Sequence, residues 1–169
     1  TVVSGKIKNA VALLRRYAYS HPEINLSDLI ASLEHSEKEI SSNSSLKTLL
    51  GAEGTAARRY FQGFARIILG ECQFNGRKKR PPPDPVNALL SLGYTMVFNE
   101  ISSLLDGAGF DPYLGFYHKP DYGRPSLAAD LLEEFRAPIV DRLTLNLFNN
   151  RVLTLEDFAP HPNKGGCYL

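Results

Sequence analysis

Four side chains of the kinds that hold divalent cations stand on three separate segments of this sequence. Glu53 lies in GAEGTAARRYF, His118 lies in GFYHKPDYGRP, and Asp130 and Glu133 lie in SLAADLLEEFR. Carboxylate oxygens suit Mg²⁺, and an imidazole nitrogen shifts the preference toward Mn²⁺. These residue types therefore predict a Mg²⁺ or Mn²⁺ site if the three segments converge. Spacing along the chain does not by itself show that they do.

Each of these groups also has a plainer interpretation. Asp130, Glu133 and Glu134 are three and four residues apart, so their carboxylates leave the same side of a helix. Such a cluster is more often a solvated face than a ligand set. A lone histidine such as His118 is more often structural than a ligand. The prediction of a site depends on the imidazole and the carboxylates lying together.

Two glycines, Gly51 and Gly54, flank Glu53 in a segment with helical periodicity. Glycine in a helix interior costs about 1 kcal/mol relative to alanine. We therefore expect the glycines to allow the histidine loop and the acidic helix to approach closely. On this hypothesis a bulky residue at Gly54 weakens metal binding.

Helical periodicity recurs through most of the chain, without an internal repeat or a long alternating stretch. The pattern predicts an all-α fold of about five to seven helices around a long central helix. We expect a single α-helical domain over residues 1–169. The helices are expected over about 6–19, 27–40, 46–69, 85–105 and 126–150.

Local signals mark the ends of the last two long helices. Asp84 followed by Pro85 predicts a helix start, and Ser126 is expected to cap the final helix. Pro138 should interrupt that helix, because proline removes an intrahelical hydrogen bond. Opposite its acidic face runs an apolar ladder with a four-residue period, formed by Leu127, Leu131, Phe135 and Ile139.

The composition is that of an ordinary soluble domain, with 43% hydrophobic and 22% charged residues. No uninterrupted apolar run approaches membrane-spanning length, so we expect no membrane association. Nineteen basic residues against 18 acidic ones give a net charge of +1, which provides no global argument for nucleic acid. Two distant cysteines, Cys72 and Cys167, suit a reducing compartment, and a cytoplasmic protein is expected.

Positive charge is nevertheless concentrated near the candidate ligands. The basic residues concerned are Arg58 and Arg59 after Glu53, the run Arg77, Lys78, Lys79 and Arg80, and Lys119 and Arg124 around the histidine. Phosphate contacts by such residues would add affinity and salt dependence to DNA binding. A solvated loop explains the run 77–80 equally well. Arg58 and Arg59 point about 100 degrees apart on a helix, and the sequence does not assign which one faces DNA.

Several motifs together resemble a known family in their order along the chain. They are GKIKNAVALLRRY, GAEGTAARRYF, PPPDPVNALLSLGYTMVFNEI, DPYLGFYHKPDYGRPSLAADLLEEFR and NKGGCYL. The set is similar to the CRISPR-associated adaptation endonuclease, the integrase that captures new spacers. This resemblance covers nearly the whole chain and is specific because separate motifs agree.

The resemblance implies a divalent-metal-dependent DNA endonuclease and integrase that acts in antiviral defence. It implies cleavage and transesterification of phosphodiesters, with a 3′-hydroxyl of the captured fragment attacking the repeat strand. Carried over residue by residue, the metal ligands are Glu53, His118 and an acid on the following helix. Glu133 ranks first for that third position, and Asp130 follows closely as a second catalytic acid.

The same resemblance implies partners and a larger protein. DNA, branched or double-stranded, is the expected substrate as spacer and repeat. A homodimer and a small CRISPR adaptation partner protein are expected in the full-length family. Its members carry an N-terminal β-domain that is missing here, so the chain is expected to be a fragment. The alternatives are a catalytically silent helical DNA-binding or assembly module and, less favoured, a metallohydrolase of small molecules.

Overall fold

The chain folds into packed helices with a short pair of strands near its end. The computed structural model describes residues 2–42, 46–78, 80–118, 122–160 and 166–169. The helices are α1 (Val2–Ser20), α2 (Ser27–Ser42), α3 (Leu46–Ile67), α4 (Pro85–Gly107), α5 (Ser126–Phe135), a π-helical turn (Arg136–Asp141), α6 (Arg142–Asn149) and a 3₁₀ turn (Leu155–Asp157). Strands β1 (Ala159–Pro160) and β2 (Cys167–Tyr168) pair antiparallel. The prediction of an all-α fold is confirmed.

The start of α4 has the predicted cap, and the start of α5 does not. Asp84 caps α4, with its side chain 2.8 Å from the Asn87 amide nitrogen, and Pro85 occupies the first turn. Helix α5 begins at Ser126, but Pro125 holds the cap position and no side chain caps this end. The expectation that Ser126 caps α5 was therefore wrong. Proline fixes its own φ, which starts the helix without a side-chain cap.

Pro138 interrupts the last long helix as predicted, and the interruption is a π-helical turn over Arg136–Asp141. Proline has no N–H to donate along the helix, so one regular hydrogen bond is lost and a wider turn accommodates the ring. This turn buries Ala137, Val140 and Asp141. It thereby carries a charged side chain into the protein interior directly after α5.

Helix α1 occupies the middle of the fold. It contacts α2, α3, α5 and the π-helical turn, and it buries Val3, Ile7 and Leu14 in the core. The long helix α4, predicted from its apolar stripe to be the central element, instead packs against α5, the π-helical turn, α6 and β2. Its Leu104 is 63% exposed. The helix at the centre is therefore α1.

The apolar ladder of the last long helix is exposed at its end rather than buried throughout. Phe135 and Ile139 of the ladder are exposed, whereas Asp130 is 0% and Glu133 is 4% exposed. Burial of two carboxylates is unfavourable unless partners compensate them. The interpretation of this acidic cluster as a solvated face is therefore wrong for Asp130 and Glu133, and it holds only for the exposed Glu134.

By length and composition alone, α4 would also qualify as a membrane-spanning helix. Its most apolar 18-residue window has a mean hydropathy of 1.2, and 11% of that window is buried. Two charged residues of this helix, Glu100 and Asp106, interrupt its apolar sequence. A long helix of a soluble protein passes the same test, so this single helix is weak support for a membrane.

Candidate metal centre and basic cavity

The predicted ligands come together around one large cavity. Its volume is about 1150 Å³, and its wall includes Glu53 from α3, His118 from the loop before α5, and Glu133 from α5. Lys6 from α1 completes this part of the wall. The convergence that spacing could not establish is therefore present for three of the four predicted residues. Asp130 lies behind the wall, because it is fully buried.

Lys6 links the two glutamates. Its Nζ lies 2.5 Å from Oε1 of Glu53 and 2.6 Å from Oε2 of Glu133. The Lys6 side chain is 18% exposed, so its ammonium sits at the boundary between the protein and the cavity. Glu53 and Glu133, which stand on different helices, thus share one positive charge.

Glu133 has a second cation and one incompletely satisfied oxygen. Its Oε1 lies 2.9 Å from Nη2 of Arg136, one turn further along the chain. Its Oε2 is buried and accepts no hydrogen bond from the described residues, although the Lys6 ammonium lies 2.6 Å away in an ion pair. A buried carboxylate oxygen without a directed donor is unfavourable, and a cation ligand satisfies such an atom.

Glu53 is held by a second helix and by the histidine loop. Its Oε2 accepts a 2.6 Å hydrogen bond from the hydroxyl of Tyr117. Burial alone would raise the pKa of Glu53, but the Lys6 charge and the hydrogen bonds from Lys6 and Tyr117 bring that pKa below its usual value. Burial and the bond to Glu53 raise the pKa of Tyr117, so this hydroxyl stays protonated as a donor. Glu53 is therefore an ionised, oriented carboxylate.

Asp130 organises the histidine loop rather than facing the cavity. Its Oδ2 accepts from the backbone N–H groups of Phe116 at 2.7 Å and Tyr117 at 2.9 Å, and its Oδ1 accepts from the N–H of His118 at 2.9 Å. Burial would raise the pKa of Asp130, but the backbone bonds from Tyr117 and His118 and the bond to the imidazole lower it. Three amides and one ring thus stabilise a buried charge.

The same carboxylate fixes the state of His118. Nδ1 of His118 lies 2.6 Å from Oδ1 of Asp130. Because the ionised carboxylate only accepts, Nδ1 carries a proton, and in the neutral imidazole Nε2 is then the nitrogen with the lone pair. An imidazole held in this way through its other nitrogen is the usual arrangement of a metal-ligating histidine. Of the two acids, Glu133 is thus the one that faces the cavity.

The donors do not yet form a closed ligand set. Within the described ranges, no three histidine, cysteine, aspartate or glutamate side chains cluster closely enough to hold a metal ion. The Lys6 ammonium lies between the two glutamates instead. The chemistry of the donors fits a hard divalent cation, since two ionisable carboxylates and one imidazole nitrogen are presented to one cavity.

The glycines that allow close approach are not the ones that the sequence indicated. A Cβ at Gly51 or Gly54 would meet no atom of the described residues within 4 Å, so the explanation proposed for these two glycines was wrong. At Gly115 a Cβ would lie 2.7 Å from Cβ of Ser126 and 3.0 Å from Oδ2 of Asp130. Gly115 therefore lets the histidine loop reach α5, and the close approach is made by the loop rather than by α3.

A second glycine brings α1 to the site. A Cβ at Gly5 would lie 2.8 Å from Oε1 of Glu134, and Asn9 donates a 2.8 Å hydrogen bond to the Glu134 carbonyl. These two contacts dock α1 against the end of α5. Lys6, next to Gly5, is thereby delivered to the glutamates. The sequence analysis did not single out Lys6, and a lysine next to glycine in an otherwise amphipathic helix was the available signal.

The predicted DNA-binding residues divide into three groups. Arg58, Arg77, Lys78 and Arg124 line the cavity. Arg59 and Arg80 do not line it, and Lys79 and Lys119 lie outside the described residues. Arg77 also has a structural role, because its guanidinium donates to the side chains of Asn87 and Ser91, both at 2.9 Å. The cavity is thus acidic at the ligands and basic along its length.

A buried polar network, which the sequence analysis missed, lies next to the glutamates. Tyr60 donates a 2.7 Å hydrogen bond to Asp141, and Tyr94 donates to the other oxygen. The guanidinium of Arg136 stacks 4.8 Å from the Tyr94 ring centroid. Burial raises the pKa of Asp141 to about 6, against the opposing effect of both tyrosine hydroxyls and of Arg136 and Arg77. Arg136 thus connects this network to Glu133.

The fold and the site together define a class of protein. A helical domain that presents two carboxylates and an oriented imidazole to a basic cavity has features compatible with a protein that acts on nucleic acid. Residues 1–169 match the family described as CRISPR associated protein Cas1. The chain therefore belongs to the Cas1 family, and the resemblance drawn from the motifs is confirmed.

Curated relatives carry endonuclease names. The chain is 46% identical over 156 residues to a CRISPR-associated endonuclease Cas1 of Thermus thermophilus, covering 92% of this chain and 45% of that protein. It is 41% identical to a Cas4 exonuclease and Cas1 endonuclease fusion of Geobacter sulfurreducens, covering 99% of this chain and 31% of the fusion. The chain thus spans half or less of the length of these relatives.

Solved structures share the helical arrangement. A Cas1 protein from Thermotoga maritima superposes with a TM-score of 0.83 at 28% identity, covering 99% of this chain and 51% of that one. A Cas6-RT-Cas1–Cas2 complex gives 0.89 at 29% identity, covering 99% and 18%. A casposase bound to an integration product gives 0.80 at 27% identity, covering 99% and 46%. The fold is therefore that of the helical part of Cas1 proteins.

Proposed function

We propose that this chain is the catalytic domain of a divalent-metal-dependent DNA endonuclease and integrase that inserts new spacers into CRISPR arrays. One observation carries the proposal. Glu53 and Glu133, from two helices, are drawn together at the wall of a basic cavity that also contains His118. Membership of the Cas1 family and the names of its relatives support the reaction class.

Glu53, His118 and Glu133 would hold Mg²⁺ or Mn²⁺. A bound divalent ion supplies Lewis-acid catalysis, polarising a phosphodiester and favouring the ionised form of an attacking hydroxyl or water. Asp130 orients the imidazole. Tyr117 orients the Glu53 carboxylate, and Arg136 orients that of Glu133. These partners fix the positions of the donors before any ligand arrives, which is the protein's share of such catalysis.

The basic residues along the cavity would bind the DNA backbone. Arg58, Lys78 and Arg124 are exposed and line the cavity. Phosphate contacts of this kind position a duplex or branched substrate without reading its sequence. They also concentrate a polyanion near carboxylates that would otherwise repel it. Carboxylates surrounded by basic residues thus favour a phosphodiester substrate, with a divalent cation offsetting the repulsion between the carboxylates and the phosphate.

The partners of this domain are inferred from relatives. Structures similar to the chain include Cas6-RT-Cas1–Cas2 complexes and a casposase with an integration product. We propose that this domain likewise works with a small Cas2-type partner and with spacer and repeat DNA, in a homodimer. Cytoplasmic localisation remains a prediction that follows from this role.

The test is cleavage of labelled branched DNA in the presence and absence of Mn²⁺. Glu53→Gln and Glu133→Gln should each lower the Mn²⁺-dependent rate at least about 100-fold, since each removes a charged donor. Glu134→Gln is the matched control, because it changes the adjacent, exposed acid and should leave the rate within about twofold. Unchanged cleavage by Glu53→Gln and Glu133→Gln would refute the assigned roles.

A second candidate is a helical DNA-binding or assembly module that is catalytically silent. The observation that favours it is the absence, within the described ranges, of a closed set of three metal-binding side chains. Tight DNA binding that Glu53→Gln does not change, together with no Mn²⁺-dependent cleavage, would support this function instead. A third candidate is the hydrolysis of a small molecule. Turnover of a small-molecule substrate without any cleavage of DNA would support it.

A further inference from the structure

The ammonium of Lys6 lies between Glu53 and Glu133, where a single cation can contact both carboxylates. Its ammonium lies within 2.6 Å of an oxygen of each carboxylate. Mg²⁺ binds carboxylate oxygens at about 2.0–2.1 Å, and Glu53 and Glu133 are the carboxylates that would hold it here. The ammonium and such an ion thus compete for the same oxygen atoms. Two cations that close repel each other strongly in a partly buried site.

The placement of Lys6 is specified by packing rather than by a chance rotamer. Gly5 lets α1 come to within contact of Glu134, and Asn9 hydrogen-bonds the Glu134 carbonyl. Lys6 therefore starts from a backbone position fixed against the helix that carries Glu133. Its side chain borders the open cavity and has a flexible four-carbon stem. The ammonium is consequently held firmly but has space into which it can move.

Glu133 shows that the ammonium is an imperfect partner. Oε2 of Glu133 is buried and in ionic contact with Lys6, yet it accepts no directed hydrogen bond. By contrast, Oε1 of the same carboxylate faces Arg136 at 2.9 Å. Each oxygen of this carboxylate thus has one cationic partner, and the partner of Oε2 is the Lys6 ammonium.

We propose that Lys6 is an internal counter-ion of the metal site, which a divalent cation must displace from Glu53 and Glu133 in order to bind. The inference rests on the metal site of the proposed function. Lys6 is a positioning residue in this scheme, since it acts through the two carboxylates. It explains why the donors are gathered without forming a closed ligand set. It also makes Lys6 the residue that sets the metal affinity.

The first experiment measures Mn²⁺ binding to the chain by titration calorimetry. Lys6→Met keeps most of the length of the unbranched side chain and removes its charge, so Mn²⁺ should bind at least tenfold more tightly. Lys8→Met is the matched control, because Lys8 is 67% exposed and its ion pair with Glu37, at 3.6 Å, lies away from Glu53 and Glu133. This control should bind Mn²⁺ as the unaltered chain does.

The outcomes separate this inference from the proposed function. If the chain binds Mn²⁺ and Lys6→Met binds it equally or more weakly, the counter-ion role is refuted and the metal site stands. If neither the chain nor Lys6→Met binds Mn²⁺, the metal site is refuted together with the inference. Tighter binding by Lys6→Met but not by Lys8→Met supports both.

A second experiment uses the unaltered chain and does not depend on the folding of a variant. Lysine ammonium groups held in ion pairs exchange slowly enough to give ¹H–¹⁵N correlations, and through-bond correlation with the Lys6 side-chain carbons assigns the relevant one. Saturation with diamagnetic Mg²⁺ should abolish or strongly shift the Lys6 correlation and leave that of Lys8 in place. A Lys6 correlation that is unchanged at saturating Mg²⁺ would overturn the inference.

Discussion

Oδ1 of Asp130 lies 2.6 Å from Nδ1 of His118 and accepts the backbone N–H of the same residue. Position 118 is thus bound at two points by a single buried carboxylate. This leaves Nε2 of the imidazole for a ligand in the cavity. The arrangement distinguishes the two acids of α5, since Asp130 holds the loop while Glu133 lines the cavity.

Replacement of Asp130 by asparagine tests that division of roles. The amide keeps the shape but offers one acceptor for the loop amides and can donate to Nδ1, which favours the other tautomer of His118. We expect Mn²⁺ affinity to fall about 10–100-fold, as for other partners of metal-ligating histidines, and stability to fall by about 1–3 kcal/mol. Calorimetric titration and urea unfolding measure the two effects.

Asp106→Asn is the control for this substitution, because Asp106 is an exposed residue near the end of α4. It should change neither quantity. Mn²⁺ affinity that survives Asp130→Asn unaltered would show that the orientation of His118 does not matter to the site.

Much of the fold follows from local patterns in the sequence. The start of α4 could be predicted because Asp84 and Pro85 act on their own helix, and Pro138 disrupts its own helix wherever it packs. The orientation of α5 could not be predicted in this way. Its acidic side is inward because partners from other segments, including Lys6, offset the burial of charge. Such compensation depends on tertiary contacts that periodicity does not report.

The candidate site shows the same division. The types of Glu53 and His118 indicated a metal centre, and the family resemblance gave their roles. The choice between the two acids of α5 required knowing which one the histidine loop binds. The importance of Gly115 likewise appears only when that loop lies against α5. Close approach between segments is a property of packing, so a glycine's purpose is seldom readable from its neighbours in sequence.

A pair of glycine substitutions tests the packing argument. Gly115→Ala places a Cβ 2.7 Å from Ser126 and 2.9 Å from its carbonyl carbon, so we expect a loss of about 1–3 kcal/mol in the free energy of unfolding. At Gly54, within α3, the Cβ of alanine would meet no described atom within 4 Å, so Gly54→Ala should stabilise the fold by up to about 1 kcal/mol. Urea midpoints measure both, and equal effects of the two variants would contradict the assignment of the close contact.

The buried Asp141 predicts a specific dependence of stability on pH. Burial raises its pKa in the folded chain to about 6, from an ordinary value of 3.8. Between these pH values the folded state binds more protons than the unfolded state, so this group's contribution to stability is full below about pH 4 and is lost as the pH rises through 6. The shift of about two units corresponds to about 3 kcal/mol.

Asp141→Asn removes this titration and isolates it from the other acids. Glu53 and Asp130, whose pKa values are lowered, act in the opposite sense, since their contribution is lost as the pH falls. The free energy of unfolding of the chain minus that of Asp141→Asn should therefore decrease between pH 4 and pH 7. A flat difference for Asp141→Asn would mean that Tyr60, Tyr94 and the two arginines keep this carboxylate at its ordinary pKa.

The adjacent arginines of α3 provide the sharpest test of the DNA surface. Arg58 is exposed on the cavity wall, whereas Arg59 is half-buried and lies outside it. If phosphates run along the cavity, Arg58→Ala should weaken the binding of branched DNA and reduce the slope of log K against log salt by about 1. Arg59→Ala, with the same change of charge one residue away, should leave that slope unchanged.

Fluorescence anisotropy over a salt series, with EDTA present to exclude metal-dependent contacts, measures both variants. Equal loss from the two would indicate attraction by net charge alone, and a larger loss from Arg59→Ala would place the DNA on a different face of α3.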